Sequence, residues 1–442
     1  MIFHKISLTL FFLISFAFSA FPAPDIAKEL IVEEQKNVLK NLTTARDSLR
    51  TLYNLFDLSD RREQQKKLAW QIYETAGRAQ DINAQMDMLR NLAVYNYKND
   101  SVIDVLLDLA NRIPNEEARA ATKTFIFNQH VTYRTGFPQD EKKLSDLLLD
   151  NIVNSHNLQG TDVYDRIGLL YQIIQYIGTE AEGSLFAECL DKYANLVEKL
   201  PDSDFPLKNQ FYTTSAIFHS RVNGDQRRAI LYDQKLIEIM DMLQDMYRKQ
   251  DRKYRNYDAT RFNSYRRMLS NFNVLTDKEI DDIHDSIMML AQRNFDVYET
   301  IEKYGRAQAY YYFAKRRYDE AIPYIKKQMQ APNQTVYQRI KFADMLMKAA
   351  KETGDNKSYV DAMENYIDAH KIIDSLHAVT NEREMMIRNL MANAPILHED
   401  DEIEKATVIK EHEISLMVVS SVLAVILLIY IVLYIRLKRS RR

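Results

Sequence analysis

The sequence predicts an all-α protein: a solenoid of stacked helical hairpins, continued by a C-terminal helical stalk and a single transmembrane helix. Three observations predict it. Glycine and proline number nine each in 442 residues, well below average usage of about 7% and 5%, and a chain so poor in turn residues favours long helices with short connections over strands. Paired apolar-periodic segments recur along the chain, with small residues at matching places and a polar turn between them. The stretch from about Ile414 to Ile435 carries no charged side chain, and roughly 20 apolar residues suffice to cross a hydrocarbon core.

At the N-terminus, "MIFHKISLTLFFLISFAFSAFPAPD" places Lys5 ahead of an apolar run from Ile6 to Phe18, with the small residues Ala17 and Ser19 before a proline-punctuated stretch. That is the layout of a cleavable secretory signal, expected to span residues 1–19. Residues 20–376 follow as the solenoid. In "AQAYYYFAKRRYDEAIPYIKKQM", residues 307 to 329, Ala309 and Tyr312 share one helix face, a basic turn follows, and Tyr318 and Ala321 open a second helix. Antiparallel helices approach closely where small residues meet, and large ones three or four positions away fill the remaining volume. This order resembles the tetratricopeptide repeat, which also carries a proline near its exit, as Pro332 does here. Pro323 departs from that pattern, about five residues into the second helix, where it weakens the first turn.

Looser copies surround this unit. "FYTTSAIFHSRVNGDQRRAILYDQKL" has Tyr212, Ala216, Gly224 and Ala229 at corresponding places, and "FADMLMKAAKETGDNKSYVDAMENYIDAH" has Gly354 at its turn with Tyr359, Ala362, Tyr366 and Ala369 beyond. Trp70, Tyr73, Gly77 and Ala84 outline another unit, and Gly178 and Pro201 punctuate a further one. A lone hairpin cannot bury its apolar face, so neighbours stack and each contacts mainly the next. The stalk, residues 377–413, shows apolar residues at helical, slightly seam-like spacing, including Val379, Met385, Met386, Leu390 and Met391. It suits a paired coil that transmits movement and a passive spacer equally well. The transmembrane helix occupies residues 414–435. Arg436, Lys438, Arg439, Arg441 and Arg442 make residues 436–442 a basic tail retained in the cytoplasm, which places the N-terminal region outside the cytoplasmic membrane.

Composition and motifs limit the chemistry. The net charge is −3, which disfavours nucleic acid as a partner. Cys189 is the single cysteine, so no internal disulfide forms, and its setting in "LFAECLDKY" is that of a small buried hydrophobe. Gly178 and Gly183 have the outer spacing of a phosphate loop, but Ser184 and Leu185 stand where lysine and Ser/Thr are needed. "HEDDEIEKATVIKEHE", His398 to Glu413, lacks the spacing of a metal-binding helix. The expectation is a protein that is not an enzyme and uses no cofactor or metal.

The expected ligand surface is the concave wall of the solenoid. In the clearest repeat it carries Lys303, Arg306, Tyr310 and Phe313, cations and rings suited to peptide or polar-ligand contact. "MYRKQDRKYRNYDATRFNSYRRMLSNF", Met246 to Phe272, interleaves cations with tyrosines. That pattern suits single-stranded nucleic acid, or in an exported protein an anionic glycan or lipid head group; the simpler reading is one long helix with a charged outer face and tyrosines packed on its neighbours.

The order of signal peptide, tetratricopeptide-like helices, the "YDATRFNSYRRMLSNFNVL" segment, the "AQAYYYFAKRRYDEAIPYIKKQM" repeat, a helical stalk and one span resembles the extracytoplasmic region of membrane-bound sensor histidine kinases and related regulators of the Bacteroides group. The resemblance implies a sensing and anchoring role, with a protein or peptide ligand in the periplasm, a cytoplasmic kinase or regulator partner, and a homodimer formed through the stalk. The family's phosphoacceptor histidine and ATP-binding domain have no counterpart; His284 in "DDIHDSIMML" lacks the flanking residues. The other function class is a membrane-tethered periplasmic scaffold for envelope protein assembly or quality control, with no signal crossing the membrane.

Overall fold

A computed structural model describes residues 25–392, apart from 60, 133–162, 179–183, 222–223, 251, 253 and 332–333. The expected signal peptide, transmembrane helix, basic tail and His398 to Glu413 patch lie outside the described residues, as does Pro332. Among the described residues, no helix is long and apolar enough to cross a membrane.

The described residues are all-α, with seventeen α-helices and no strand. In chain order they are α1 (Asp25–Lys40), α2 (Ala45–Leu58), α3 (Arg62–Ala79), α4 (Ile82–Asn96), α5 (Asp100–Ala110), α6 (Glu116–Thr132), α7 (Val163–Ile177), α8 (Ser184–Val197), α9 (Phe205–Arg221), α10 (Gln226–Lys249), α11 (Asp258–Ser270), α12 (Asp277–Arg293), α13 (Phe295–Tyr304), α14 (Arg306–Ala314), α15 (Tyr318–Met329), α16 (Val336–Thr353) and α17 (Asn356–Ala392). The chain divides into two compact units. One contains residues up to 152 together with 160–384, and the other contains 153–159 with 385–442. Of the second unit, the described residues are the final turns of α17.

Helix boundaries follow local chemistry. Thr44, Asp81, Asn99 and Asp225 each accept a hydrogen bond from the third residue beyond, at the starts of α2, α4, α5 and α10, which satisfies one of the donors every helix start leaves open. Thr276 with Glu279, and Thr335 with Gln338, form reciprocal capping boxes at α12 and α16. Gly305 ends α13 at φ +65°, and a β-carbon there would lie 2.5 Å from Cδ1 of Tyr324. Only glycine fits both the left-handed turn and that approach.

In the first unit, helices pack chiefly against their sequence neighbours: α2 on α3, α3 on α4, α9 on α10, α14 on α15 and α15 on α16. The small residues read as hairpin seams are buried. Ala216, Ala229, Ala309, Ala321, Ala362 and Ala369 all lie in the core, and Gly224 and Gly354 take the positive φ expected at their turns. Pro323 is accommodated inside α15. One apolar core runs through α2 to α6, around Phe56, Ile72, Met88 and Leu92. A second runs through α10 to α17, around Leu269, Ile287, Ile325 and Phe342.

Two features depart from a one-dimensional stack. The loop after α10 reaches back to α2 and α4, across 165 to 198 residues of sequence, where hairpins touching only their neighbours leave no place for such a contact. The start of the expected stalk makes long-range contacts as well. α17 runs through 376 and 377 without a break, and Glu384 accepts a hydrogen bond from the backbone N–H of Leu185 at 3.0 Å, while Arg383 donates to the carbonyl of Tyr176 at 3.3 Å. A carboxylate thus meets the positive start of α8 and a guanidinium the negative end of α7, the favourable sense for both helix dipoles. The first unit ends at residue 384.

Candidate ligand site

The basic segment Met246 to Phe272 is neither one helix nor an outward charged face. α10 stops at Lys249, a loop follows, and α11 begins at Asp258. Four of its arginines turn inward to carboxylates. Arg252 grips both oxygens of Asp57 at 3.1 and 3.2 Å and reaches Asp87 at 3.2 Å, while its guanidinium lies 3.7 Å over the Tyr53 ring. Arg255 adds a second contact to Asp57 at 3.3 Å. Asp57 is 1% exposed and Arg252 7%. Arg261 joins Asp241 at 2.7 Å and Asp258 at 3.3 Å, Arg293 closes on Asp258 at 2.6 Å, and Arg267 grips the buried Asp233. Taking such charges out of water is costly, and close carboxylates with matched hydrogen bonds offset that cost.

A different arrangement lies around Tyr310. Three partly buried cations neighbour it: Arg266 from α11 and Arg306 from α14, whose charges act on each other and on the Tyr310 phenol, and Lys341 from α16, which lies over its ring. Lys341 spans the gap between helices. Its ammonium sits 5.3 Å over the Tyr310 ring and 5.6 Å over Phe272, and donates to the carbonyl of Ser270 near the C-terminal end of α11. Tyr310 stacks on Phe342 at 5.3 Å. Arg306 donates through Nε to Oε1 of Gln328 at 2.9 Å, and Arg266 donates to Asn263 at 3.2 Å.

None of these three cations has a carboxylate within ion-pair distance among the described residues. Burial and neighbouring cations show in the acidities of two of them. Burial, reinforced by Arg221, brings Lys341 down to about 8. Burial, reinforced by Arg306, brings Arg266 down to about 10. Burial raises the Tyr310 phenol and keeps it protonated, although Arg266, Arg306 and Arg221 act in the opposite sense. An arrangement of two guanidinium forks and an ammonium has the donor chemistry to hold oxygen pairs of an anion.

No protein-family model matches this chain, and no curated protein shows significant similarity to it. The assignment of the site therefore depends on its geometry.

Of the four expected ligand residues, the structure gathers two here. Arg306 and Tyr310 belong to the cluster, with Tyr310 as a buried ring beneath the Lys341 ammonium rather than a side chain on an open wall. Phe313 is also core: it packs on Phe272 at 5.4 Å and Tyr318 at 5.5 Å. The physical reason is that α14 has only nine residues and its aromatic side chains are needed to fill the space between α11, α15 and α16. Lys303 is exposed on α13, 5.4 Å over the neighbouring Tyr304 ring, and lies on a different helix from the other three. Arg266 and Lys341 were not among the expected residues, yet a signal for both exists. Arg266 shares a stripe with Phe262 and Leu269, at i−4 and i+3, and Lys341 with Met345 and Ala349, at i+4 and i+8. A cation inside an apolar stripe is carried to the buried side of its helix.

Proposed function

We propose that this chain is a non-enzymatic, membrane-anchored periplasmic protein whose tetratricopeptide-like helical hairpins bind a peptide, protein or other ligand as the input region of a signalling system. The observation that carries this reading is the run of consecutive hairpins with buried alanine seams, Ala216 on Ala229's hairpin and Ala309 with Ala321. Stacked hairpins of this kind present extended surfaces for binding. The Arg252 bridge between the loop after α10 and the helices near the N-terminus makes the solenoid a set of hairpin runs tied together. Docking of Arg383 and Glu384 onto α7 and α8 gives α17 a direct mechanical connection to the body of the first unit, the connection that an input region leading toward a membrane anchor requires.

The test is topology together with capture. The full chain, expressed in a bacterium with two membranes, is exposed to protease from the periplasmic side and, separately, cross-linked in intact cells. The reading expects digestion of residues 20–413 from outside, and a cross-linked partner or ligand mapped onto the hairpins. Protection of the whole chain until the inner membrane is broken overturns it.

A further inference from the structure

The geometry points to Arg266, Arg306 and Lys341 as a binding site for a small oxyanionic ligand, bearing a carboxylate or a phosphate, seated above Tyr310. The inference deepens the ligand-binding reading above by naming the chemistry of one site, and it rests on three observations that do not depend on membrane topology.

The first is the contrast with their neighbours. Arg252, Arg255, Arg261, Arg267 and Arg293 each hold a carboxylate at ion-pair distance. Arg266 is adjacent in sequence to one of these arginines, yet it, Arg306 and Lys341 hold none. Carboxylates are not scarce in a chain with 62 acidic and 59 basic side chains, so this gap is local. Partly buried like charges repel, and an arrangement of this kind persists at a cost unless an anion completes it.

The second is spare donor capacity. Arg306 uses Nε on Gln328, which leaves both terminal nitrogens of its fork without an acceptor among the described residues. Arg266 commits one terminal nitrogen to Asn263, and Lys341 commits one of its three ammonium hydrogens to Ser270. The Gln328 side chain that fixes Arg306 is fully buried and donates in turn to the carbonyl of Tyr304, so the orientation of the fork is set by the core. The third is the support beneath the cations. Tyr310 and Phe272 form an aromatic base for the Lys341 ammonium, and Phe342 stacks on Tyr310. An oxyanion over two forks and one ammonium gains short, charge-assisted hydrogen bonds in a poorly hydrated setting.

The experiment uses the full chain in detergent micelles. Inorganic phosphate, sulfate and succinate are titrated by calorimetry and by thermal unfolding, each against sodium chloride of equal ionic strength. The expected result is that at least one of them raises the unfolding temperature beyond chloride, and that Arg306→Gln and Lys341→Met each weaken its binding by about tenfold or more, the loss expected for one charge-assisted contact. Arg306→Lys, which keeps the charge but loses the fork, falls between. Lys303→Gln, on the exposed face of α13, leaves affinity unchanged. Circular dichroism verifies the helix content of each variant; if one loses it, the other carries the readout. Phosphate or sulfate binding without succinate binding assigns a phosphate-type ligand, and the converse a carboxylate. No effect of any oxyanion beyond chloride overturns the inference, as does an equal loss in Lys303→Gln. A chain that ignores all three anions while still capturing a periplasmic partner loses this site alone, and the reading of the whole protein stands.

Discussion

Two groups of cations lie within one stretch of this protein and have opposite fates. Arg252, Arg255, Arg261 and Arg267 enter the interior with carboxylates already in place, and the first two tie the loop after α10 to Asp57 of α2 and Asp87 of α4. Arg266, Arg306 and Lys341 also leave bulk water, but they lie round Tyr310 with no carboxylate at ion-pair distance among the described residues. Burial alone therefore does not identify a ligand site. The informative feature is burial in which the neutralising partner is missing, because a protein that evolved only to be stable gains nothing from leaving it out.

The largest effect that could break this comparison is at Asp57. Replacing it with alanine leaves Arg252 and Arg255 beside Tyr247 with Asp87 as the remaining acid, and removing one partner of a buried pair costs about 3–5 kcal/mol. Urea unfolding of Asp57→Ala should show a midpoint well below that of the parent; a change within error would mean that the bridge is not formed in solution. Asp233→Asn should cost less, about 2 kcal/mol, because Arg267 is 20% exposed and recovers some hydration when its partner is neutralised. The ratio of the two losses tests whether the long-range bridge is stronger than the contact between adjacent helices.

At the other group the sign should reverse. Lys341→Met removes a repelled charge and keeps the stem that covers Phe272 and Tyr310, so in the absence of ligand its stability should equal that of the parent or exceed it by about 1 kcal/mol. Thermal unfolding in chloride checks this. A loss comparable with that of Asp57→Ala would show that Lys341 is structural and that the two groups do not differ in kind.

Most of the fold was legible from the sequence because it depends on spacing. Ala309, Ala321, Gly224 and Gly354 sit where small residues or positive φ are required, and each is found in that role. Less was legible of the ionic interior. "RKQDRKYRNY" gives no hint that Arg252 meets Asp57, because that partner lies 195 residues away and the pairing depends on tertiary closure. Asp233 was in principle readable: it falls in line with Ala229, Leu236 and Met240 on the buried stripe of α10, and an acid in an apolar stripe requires a cation opposite. The candidate site was half legible. Arg306 and Tyr310 were found from the repeat in which they lie, whereas Arg266 and Lys341 come from neighbouring helices that only the packing brings together.

The smallest expected effect is also the most specific, since it reads the surroundings of Lys341. Its ammonium lies over the Tyr310 and Phe272 rings; burial and Arg221, at the end of α9, hold it at about 8 in the folded chain, against about 10.4 for a lysine in water. Between those values the unfolded chain binds the proton more tightly than the folded one, so this group's contribution to stability rises with pH across that window, and its cost is fully present below it. Unfolding midpoints of the parent and of Lys341→Met, measured at several pH values from 7 to 9.5, should therefore converge as the pH rises, with Lys341→Met the more stable at the low end. Other titrating groups, the buried tyrosines among them, act on both chains and cancel in the difference. Added phosphate or succinate, by supplying the missing negative charge, should raise the lysine's affinity for its proton and move the convergence to higher pH. A difference that stays constant across the range would mean that Lys341 is well solvated and that the two groups of cations have the same surroundings.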